Sequence, residues 1–579
     1  MTKDEVAAAL EEIGTLLQFK GENDFRVRAY TAGARALASF EGDFKARVAA
    51  KHFDDIRGIG DALQLKILTL ATTGRLEYLD ELRASVPPGL VDMLRLPSIG
   101  PKKVKLLHDE LKIDTIEQLK AACEAGTVAE LKGFGKKTQD KIIEGIALLD
   151  SFGQRVRFDQ AYPLGMALVE QIRALPGVEQ VELCGSLRRR RETAKDLDIL
   201  VASNDAQPIM DAFVNLPEVV QVLGHGPTKS SIVAKLGVGT DAITLNADLR
   251  VVTAAQFPFA QMYFTGSKEH NIRLRQRAIE LGYRLNEYGF GDDIGTLGCK
   301  SEADIYKALG LDYVAPELRE DTGEVEAALA KKLPKLVAVG ELRGVFHNHT
   351  TASDGTASLE TMALKCKALG WEYFGVADHS QSLKMAGGLS PERVREQWAE
   401  IDVLNKKLKG IRILKGIESD ILLDGSLDYD DEFLKGFDYV VASVHTHFNL
   451  PEGEQTARVC KALRHPATTM LGHATGRLLL RRPGYKIDLD EVLRTAAEHG
   501  KFIEINAQPT RLDLEWTHVK RAKALGVKLV INPDAHSPDD LELTPYGIDV
   551  ARRGWLTKAD VLNTMGLKEV LAAIESSRV

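Results

Sequence analysis

The chain has 579 residues, 44% of them hydrophobic and 27% charged, and a formal net charge of -8 at pH 7. This length exceeds what a single hydrophobic core supports, so several domains are expected. No apolar run approaches the roughly 20 residues that span a bilayer, which excludes an integral membrane protein. Five cysteines without a Cys-x-x-Cys pair argue against a disulfide framework and against a cysteine zinc site. The first 18 residues lack the layout of a signal peptide, so we expect a cytoplasmic protein.

The first 150 residues are predicted to be almost wholly helical, and one short element recurs in them. Its three copies place a hydrophobic residue between two small ones just before a helix: Gly58-Ile59-Gly60, Ser98-Ile99-Gly100 and Gly133-Phe134-Gly135. Such a turn presents backbone N–H groups at a helix N-terminus, where a phosphate can be held. A single copy would be an ordinary interhelical turn. Three copies, with Lys102, Lys103 and Lys136 after two of them, are typical of helix-hairpin-helix units and predict binding to the DNA backbone.

An α+β unit is predicted next, with strands at Val178–Cys184, Leu197–Ala202 and Ala247–Val252 that suggest a mixed sheet. Asp196 and Asp198 stand at i and i+2 of a strand, so their side chains share one face. With Asp248 from a neighbouring strand they form an oxygen-ligand site for two Mg²⁺ or Mn²⁺ ions. A pair of surface acids is the ordinary alternative. The Gly-Ser and paired arginines directly upstream favour the metal site.

The last third of the chain is rich in histidine, with ten of its fourteen histidines between His347 and His536. Before it, Glu317 to Lys335 is predicted to be a linker helix. Strands then alternate with helices and predict a parallel sheet, closed as a β/α barrel: Tyr373–Ala377, Arg412–Ile417, Tyr439–Val444, Thr468–Leu471, Phe502–Asn506 and Lys528–Ile531. His347 and His349 are expected on one face of a strand. Further potential ligands follow at the ends of strands: Asp354, His379, Glu418, His445, His473, Asp534 and His536. Such mixed ligation suits Mn²⁺, Zn²⁺ or Fe²⁺.

The strings GSLRRRRETAKDLDILV, NADLRVV and YFTGSKEHNIRLRQRA resemble the palm and thumb of family X DNA polymerases. The resemblance implies that Asp196, Asp198 and Asp248 bind the metal ions, with Asp248 as the base near the primer end. It implies roles in nucleotide or template binding for a further set: Gly185, Ser186 and Arg189 at the triphosphate, Tyr263, Phe264 and Gly266 beside the sugar, Asn271 near the base and Arg275 at the template. Two residues depart from the family pattern, since Arg190 and Lys195 stand where glycine is usual. Lys195 either crowds the triphosphate or adds a charge to it.

The N-terminal strings FRVRAYTAGARAL and IRGIGDALQLKIL resemble the small lyase domain of the same family. This resemblance places Lys66 at the position of the amine that attacks a 5′-deoxyribose phosphate through a Schiff base. Such a lysine must lose its proton, which requires burial or nearby cations. A solvated helix lysine remains the alternative.

The strings FHNHTTASDG, VADHS, GIESD, ASVHTH, LGHATGRLL and NPDAHS resemble the polymerase and histidinol phosphatase (PHP) domain of bacterial polymerases. All nine ligand positions of its trinuclear site carry competent residues. We expect Glu418 to bridge, with the other ligands divided into three sets: His347, His349 and Asp534; His445 and His473; Asp354, His379 and His536. Arg477 and Arg511 are expected to steady phosphates. Val345 departs from the pattern, since an aspartate often stands two residues before the first histidine.

The sequence therefore predicts a multidomain polymerase: an N-terminal all-α helix-hairpin-helix region, an α+β nucleotidyltransferase palm with thumb, and a C-terminal distorted β/α barrel. The expected boundaries are 1–90, 91–155, 156–255, 256–316, 317–340 as linker, and 341–579. We expect a monomeric bacterial enzyme at the nucleoid that fills gaps in DNA from deoxynucleoside triphosphates and trims 3′ ends. The alternatives are a DNA-end-processing nuclease with a vestigial polymerase module and a non-catalytic DNA-binding scaffold.

Overall fold

The computed structural model describes the chain except residues 2, 39, 41–43, 54–55, 57, 97–98, 153–154, 238–241, 293–296 and 579. Ser98, the first residue of the second glycine turn, therefore lies outside the described residues. The described chain forms two compact units, Met1–Arg155 with Ala234–Thr244, and Val156–Val233 with Leu245–Val579. None of the described helices is long and apolar enough to cross a membrane.

The N-terminal residues are helical, as predicted. The helices are α1 Lys3–Phe19, α2 Asp24–Ala38, α3 Phe44–Ala50, α4 Asp61–Thr73, α5 Glu77–Ala84, α6 Pro88–Asp92, α7 Pro101–Leu111, α8 Ile116–Glu124, α9 Thr127–Glu130 and α10 Gly135–Phe152. Their apolar faces form one core. The hydrophobic residue of each glycine turn contributes to it, since Ile59, Ile99 and Phe134 are buried. This burial fixes the turn against the core and leaves the flanking backbone outside.

The palm is a five-stranded mixed sheet with helices packed on it. Its elements are β1 Val156–Arg157, α11 Phe158–Arg173, β2 Gln180–Leu183, α12 Gly185–Arg188, β3 Thr193–Ala194, β4 Asp196–Ala202, α13 Gln207–Phe213, β5 Val219–His225, β6 Lys229–Leu236 and β7 Ile243–Val252. The strand order is β2-β4-β7-β6-β5, with β2 antiparallel and β7 parallel to β4. The register pairs Asp198 with Asp248. The sequence analysis did not predict β5 and β6, whose segments VVQVLGH and KSSIVAKL mix apolar and polar residues.

The thumb follows, with α14 Phe257–Thr265, α15 Lys268–Glu280, β8 Arg284–Leu285, β9 Phe290–Gly291, α16 Glu302–Ala308 and α17 Glu324–Leu329. The segment that was expected to be a linker from residue 317 packs into this domain. Val325 and Ala328 belong to the thumb core, and Arg319 and Glu324 are fully buried. Their charges are paired inside the thumb, Arg319 with Glu302 at 2.7 Å. The buried charges of this segment are therefore held by partners within the thumb, Glu324 by His270 at 2.6 Å.

The C-terminal domain is a seven-stranded parallel sheet in sequential order. The strands are β10 Gly344–Val345, β11 Tyr373–Val376, β12 Arg412–Asp420, β13 Tyr439–Ser443, β14 Met470–Leu471, β15 Phe502–Asn506 and β16 Leu529–Asn532. The helices are α18 Leu359–Ala368, α19 Pro391–Lys407, α20 Asp431–Leu434, α21 Glu452–Arg464, α22 Leu489–Glu498, α23 Trp516–Ala524, α24 Thr544–Arg553 and α25 Leu567–Ser577.

The first and last strands of this sheet approach each other, so the barrel is nearly closed. A parallel bridge joins Asn348 to Ala535, and the His349 N–H donates to the Ala535 carbonyl at 2.7 Å. All six predicted strands are present. The expectation that His347 and His349 lie on a strand was wrong, because β10 ends at Val345. The two histidines follow that strand at the rim, where barrel folds carry their sites.

Candidate functional site

The glycine turns of the N-terminal unit leave backbone accessible at three helix starts. Gly60 caps α4 and Gly100 caps α7, and neither cap uses a side chain. A Cβ at Gly60, Gly100, Gly133 or Gly135 would meet no described heavy atom within 4 Å. Gly58 and Gly133 occupy equivalent places and have φ of 103° and 96°, a region that favours glycine. Lys136 is exposed beside the third turn. The geometry provides helix N-termini that can approach a phosphate closely.

Lys66 lies half-buried on α4 among aromatic rings. Its Nζ is 5.2 Å from the centroid of the Tyr78 ring and 6.0 Å from that of Tyr30. Burial, together with the positive charge of Arg26, lowers the pKa of Lys66 from its usual value. A lower pKa leaves more of the amine neutral, which is the direction that a nucleophilic lysine requires.

The palm and thumb enclose a cavity of about 350 Å³. Every residue that the sequence analysis placed at the nucleotide lines this cavity, and so do both aspartates of β4 and Arg275. Lys268 also lines it and was missed by the sequence analysis. The lining residues are Gly185, Ser186, Arg189, Asp196, Asp198, Tyr263, Phe264, Gly266, Lys268, Asn271 and Arg275. The Ser186 hydroxyl is buried without a hydrogen-bond partner. The side-chain amide of Asn271 donates through Nδ2 to the Tyr263 carbonyl at 2.7 Å, and its Oδ1 is buried without a hydrogen-bond partner. The cavity lining therefore includes polar groups that could form hydrogen bonds with a bound ligand.

The carboxylates of the palm repel one another. Burial, followed by the neighbouring Asp196 and Asp248, raises the pKa of Asp198 to about 7 against the opposing effect of Arg189 and Lys229. A divalent cation would relieve this repulsion, and the all-carboxylate donor set suits Mg²⁺ or Mn²⁺.

The neighbours of these aspartates restrict their positions. Lys229 lies 2.8 Å from Asp248 Oδ2, and the Ser231 hydroxyl donates to Asp248 Oδ1 at 2.6 Å. Gly185 has φ of 63°, and a Cβ there would lie 2.0 Å from Asp198 Oδ2. Glycine at this position therefore admits the Asp198 carboxylate. Neither Lys229 nor Ser231 was identified from the sequence, because both lie on the strand that it did not predict.

The nine candidate ligands of the barrel meet in one cluster. Four overlapping groups have ligand atoms that all lie within 4.8 Å of one another: His349, Asp354, His379 and His536; His347, His349 and Asp534; His347, Glu418 and His473; His379, Glu418 and His445. Glu418 belongs to two groups and lies 3.2 Å from His347, 3.0 Å from His473 and 3.2 Å from His445. The structure differs from the expected division in that His445 and His473 fall into separate groups, which share Glu418.

Several ligand atoms of the cluster are buried without a hydrogen-bond partner, namely His347 Nε2, both ring nitrogens of His349 and Glu418 Oε2. Burial alone would lower the pKa of His379, but Glu418 and Asp354 raise it to about 10. Partnerless nitrogens and closely packed carboxylates are what divalent cations would satisfy. The donor set of imidazoles and carboxylates therefore fits Mn²⁺, Zn²⁺ or Fe²⁺.

Buried acids that the sequence analysis missed orient these ligands. Glu504 on β15 is fully buried, and its Oε2 lies 2.8 Å from His347 Nδ1. Asp420, at the end of β12, hydrogen-bonds His445 Nδ1. Such partners fix the tautomer and the orientation of a ligating imidazole. The available sequence signal was an acidic residue within an otherwise apolar strand for Glu504 and at the end of one for Asp420.

Comparison with known proteins agrees with both halves of this architecture. The "DNA polymerase/3'-5' exonuclease PolX" of Bacillus subtilis (strain 168) is 39% identical over 580 residues, which cover 99% of this chain and all of that protein. The chain belongs to the PolX family. Family models match a helix-hairpin-helix domain at residues 1–76, a SAM-like helix-hairpin-helix tandem at 90–147, a DNA polymerase beta thumb at 260–320 and a PHP domain at 346–508.

The PHP domain of this PolX-family chain also resembles smaller proteins. A probable phosphatase of Thermoanaerobacter sp. (strain X514) is 31% identical over 229 residues, 38% of this chain and 89% of that protein. A probable phosphatase of Acetivibrio thermocellus is 33% identical over 199 residues, 33% of this chain and 78% of that protein. Membership of the PolX family and the PHP domain imply the use of divalent metal ions.

The structure explains two departures from the PolX-family pattern. Arg190 has φ of 56°, the conformation for which glycine is usual, and its guanidinium packs over the rings of Phe158 and Tyr162 and pairs with Asp549 at 3.9 Å. Lys195 is exposed and does not line the cavity. The structure thus supports neither a crowding nor a triphosphate-binding role for Lys195.

The two arginines that were expected to hold phosphates differ in their surroundings. Arg511 lies 3.7 Å from Asp534 Oδ2 and stays beside the cluster. Arg477 pairs with Glu192 of the palm at 2.7 Å and donates to the Arg511 carbonyl at 3.0 Å. These contacts engage the guanidinium of Arg477 with the palm and with the barrel backbone, and a phosphate-holding role for it stays a prediction.

Proposed function

We propose that the chain is a DNA-templated DNA polymerase that fills gaps during repair and whose PHP domain removes nucleotides or blocking phosphates from 3′ ends. The observation that carries the proposal is the presence of two separate groups of candidate residues, those that line the palm cavity and those of the barrel cluster. Full-length similarity to a protein named polymerase and 3′-5′ exonuclease supports it. DNA and deoxynucleoside triphosphates are the proposed partners, and the bacterial nucleoid is the proposed location.

In the palm, Asp196, Asp198 and Asp248 would hold two Mg²⁺ or Mn²⁺ ions, and in the barrel the nine clustered ligands would hold two or three of Mn²⁺, Zn²⁺ or Fe²⁺. When bound, such ions neutralise phosphate charge and lower the pKa of the attacking oxygen. The chain supplies the positioning. Ser186 and Arg189 line the cavity and would contact the triphosphate, and Tyr263 and Phe264 would pack beside the sugar. Asp248 would accept the proton of the primer 3′-hydroxyl.

In the barrel, Arg511 would contact the phosphate at the DNA end, because it lies at the rim beside Asp534. The N-terminal turns and Arg275 would hold the DNA backbone and template. These contacts are independent of sequence, as gap filling requires.

The test separates the two sites by substitution. Asp198→Ala should abolish primer extension on gapped DNA and keep Mn²⁺-dependent degradation of 3′ ends. His349→Ala should do the reverse. Asp205→Ala and His499→Ala remove the same side-chain types from exposed positions and serve as matched controls. Unimpaired extension by Asp198→Ala would refute the palm assignment, and unimpaired degradation by His349→Ala would refute the barrel assignment. If the parent protein does not extend primers and His349→Ala loses the degradation of 3′ ends, the nuclease with a vestigial polymerase module would be favoured.

A 5′-deoxyribose phosphate lyase activity at Lys66 is a second proposed function. The half-buried position of Lys66 beside aromatic rings and its lowered pKa favour it. Borohydride should trap a covalent adduct with a 5′-deoxyribose phosphate end, and Lys66→Ala should lose it. Trapping that persists in this variant would assign the chemistry to another amine.

A further inference from the structure

The four consecutive arginines of the palm loop, Arg188 to Arg191, are all paired with carboxylates. Arg188 pairs with Glu302 at 2.6 Å, Arg189 with Glu320 at 3.2 Å, Arg190 with Asp549 at 3.9 Å and Arg191 with Glu320 at 3.5 Å. A basic run of this kind in a sequence can be a solvated face or a phosphate contact. In the structure it is a hub that joins the palm to the thumb and the barrel.

One residue of the barrel reaches the centre of this hub. Arg553, the last residue of α24, is 1% exposed. Its Nη1 donates to the backbone carbonyl of Arg189 at 2.7 Å and lies 3.2 Å from Glu320 Oε1. Its guanidinium packs 4.9 Å from the centroid of the Trp516 ring. A fully buried arginine is costly unless paired, so this placement indicates a specific role.

Glu320 is shared between the two arginines. Its Oε1 contacts both Arg553 Nη1 and Arg189 Nε at 3.2 Å. The other end of the Arg189 guanidinium is fixed, since Nη1 donates to the Thr265 carbonyl at 2.6 Å. A Cβ at Gly266 would lie 3.0 Å from the same Nη1, so the glycine admits the guanidinium. Arg189 thus lines the cavity in an orientation that is fixed by Glu320 and by the Thr265 carbonyl.

We propose that Arg553 of the PHP domain is a positioning residue for nucleotide binding by the polymerase, and that it acts through Glu320 and the backbone of Arg189. The inference rests on the proposed function, in which Arg189 contacts the triphosphate. The barrel is then a structural part of the nucleotide site as well as the carrier of its own site.

The physical reason is competition for the carboxylate. Arg553 shares the charge of Glu320, so Arg189 keeps positive charge available for the triphosphate. Without Arg553, the buried Glu320 retains Arg189 as its partner on Oε1 and draws the guanidinium away from the cavity. The carbonyl of Arg189 also loses its donor, and the loop becomes less fixed. Both changes weaken nucleotide binding and leave the palm carboxylates in place.

The test compares Arg553→Met with Arg553→Lys in the full-length protein. Methionine keeps part of the apolar stem but removes the charge and the donors, whereas lysine keeps one charged donor. Arg521→Met is the matched control, because Arg521 pairs with Asp490 inside the barrel. Arg189→Met is the reference for loss of the nucleotide contact. Single-turnover extension gives the dNTP dissociation constant and the maximal rate separately.

Arg553→Met should raise the dNTP dissociation constant about tenfold, the effect of losing one charge-assisted contact. Its maximal rate should change by less than about threefold, and Arg553→Lys should recover part of the affinity. The control should match the parent.

A dNTP dissociation constant unchanged in both Arg553 variants, while Arg189→Met raises it, would overturn the inference. An equal fall in maximal rate, dNTP affinity and DNA affinity would also overturn it, because it would indicate a general structural role. If Arg553→Met does not fold, Arg553→Lys alone decides. A dNTP dissociation constant and a thermal stability equal to those of the parent would then contradict the positioning role of the guanidinium. If Arg189→Met also binds dNTP like the parent, the proposed nucleotide site itself fails.

Discussion

Glu504 is expected to control the metal affinity of the barrel although it is not one of the nine clustered ligands. It is fully buried on β15, and its Oε2 accepts from His347 Nδ1 at 2.8 Å. This leaves His347 Nε2 facing Glu418 Oε1 at 3.2 Å and Asp534 Oδ1 at 3.6 Å. The carboxylate therefore fixes the ring so that a single nitrogen is presented to the cluster.

Removal of such a partner weakens metal binding about 10- to 100-fold, which equals about 1.4 to 2.7 kcal/mol. Glu504→Gln should lie at the lower end, because an amide oxygen can still accept from His347 without the charge. Glu504→Ala should lie at the upper end, because it also leaves a buried N–H without a partner, a cost of about 1 to 3 kcal/mol.

The assay is the Mn²⁺ concentration that half-saturates nucleotide release from 3′-labelled DNA by metal-stripped protein. Glu498→Gln makes the same change at an exposed position and should match the parent. Half-saturation within twofold of the parent value in both Glu504 variants would refute the reasoning. So would a loss of maximal rate with the Mn²⁺ dependence unchanged.

Three further predictions concern the polymerase and lyase sites. Gly185→Ala should reduce nucleotide addition by at least about a hundredfold, because the new Cβ would lie 2.0 Å from Asp198 Oδ2 and displace a proposed metal ligand. Retained extension by this variant, measured beside unchanged 3′-end degradation, would contradict the geometry. The rate of borohydride trapping should rise with pH with a midpoint below the usual lysine value of 10.5, since the pKa of Lys66 is lowered by burial and by Arg26. Arg26→Met should move this midpoint upward, and a fixed midpoint would show that Arg26 has no influence. Lys195→Gly should change the dNTP dissociation constant by less than about threefold, because the exposed lysine is outside the cavity. A larger change would indicate that Lys195 does contact the triphosphate.

The sequence determined the features that depend on local spacing. The period of two along β4 put Asp196 and Asp198 on one face, and the glycine turns indicated backbone N–H groups presented at helix N-termini. Histidines that follow apolar strands indicated a cluster at one rim of the barrel. These inferences needed no knowledge of distant contacts, because the secondary structure itself carries the residues to one place.

Only the tertiary structure decided which charges are available to a ligand. Arg188 to Arg191 form a run of basic residues in the sequence, and in the structure each pairs with a carboxylate more than 100 residues away in the chain. Arg477 and Glu504 likewise have partners that are distant in the chain, since Arg477 pairs with Glu192 and Glu504 hydrogen-bonds His347. The sequence shows that an arginine is present and can bind an anion, but it does not show which anion the arginine binds. The partner is fixed by packing between domains, because burial favours the nearest buried carboxylate over solvent.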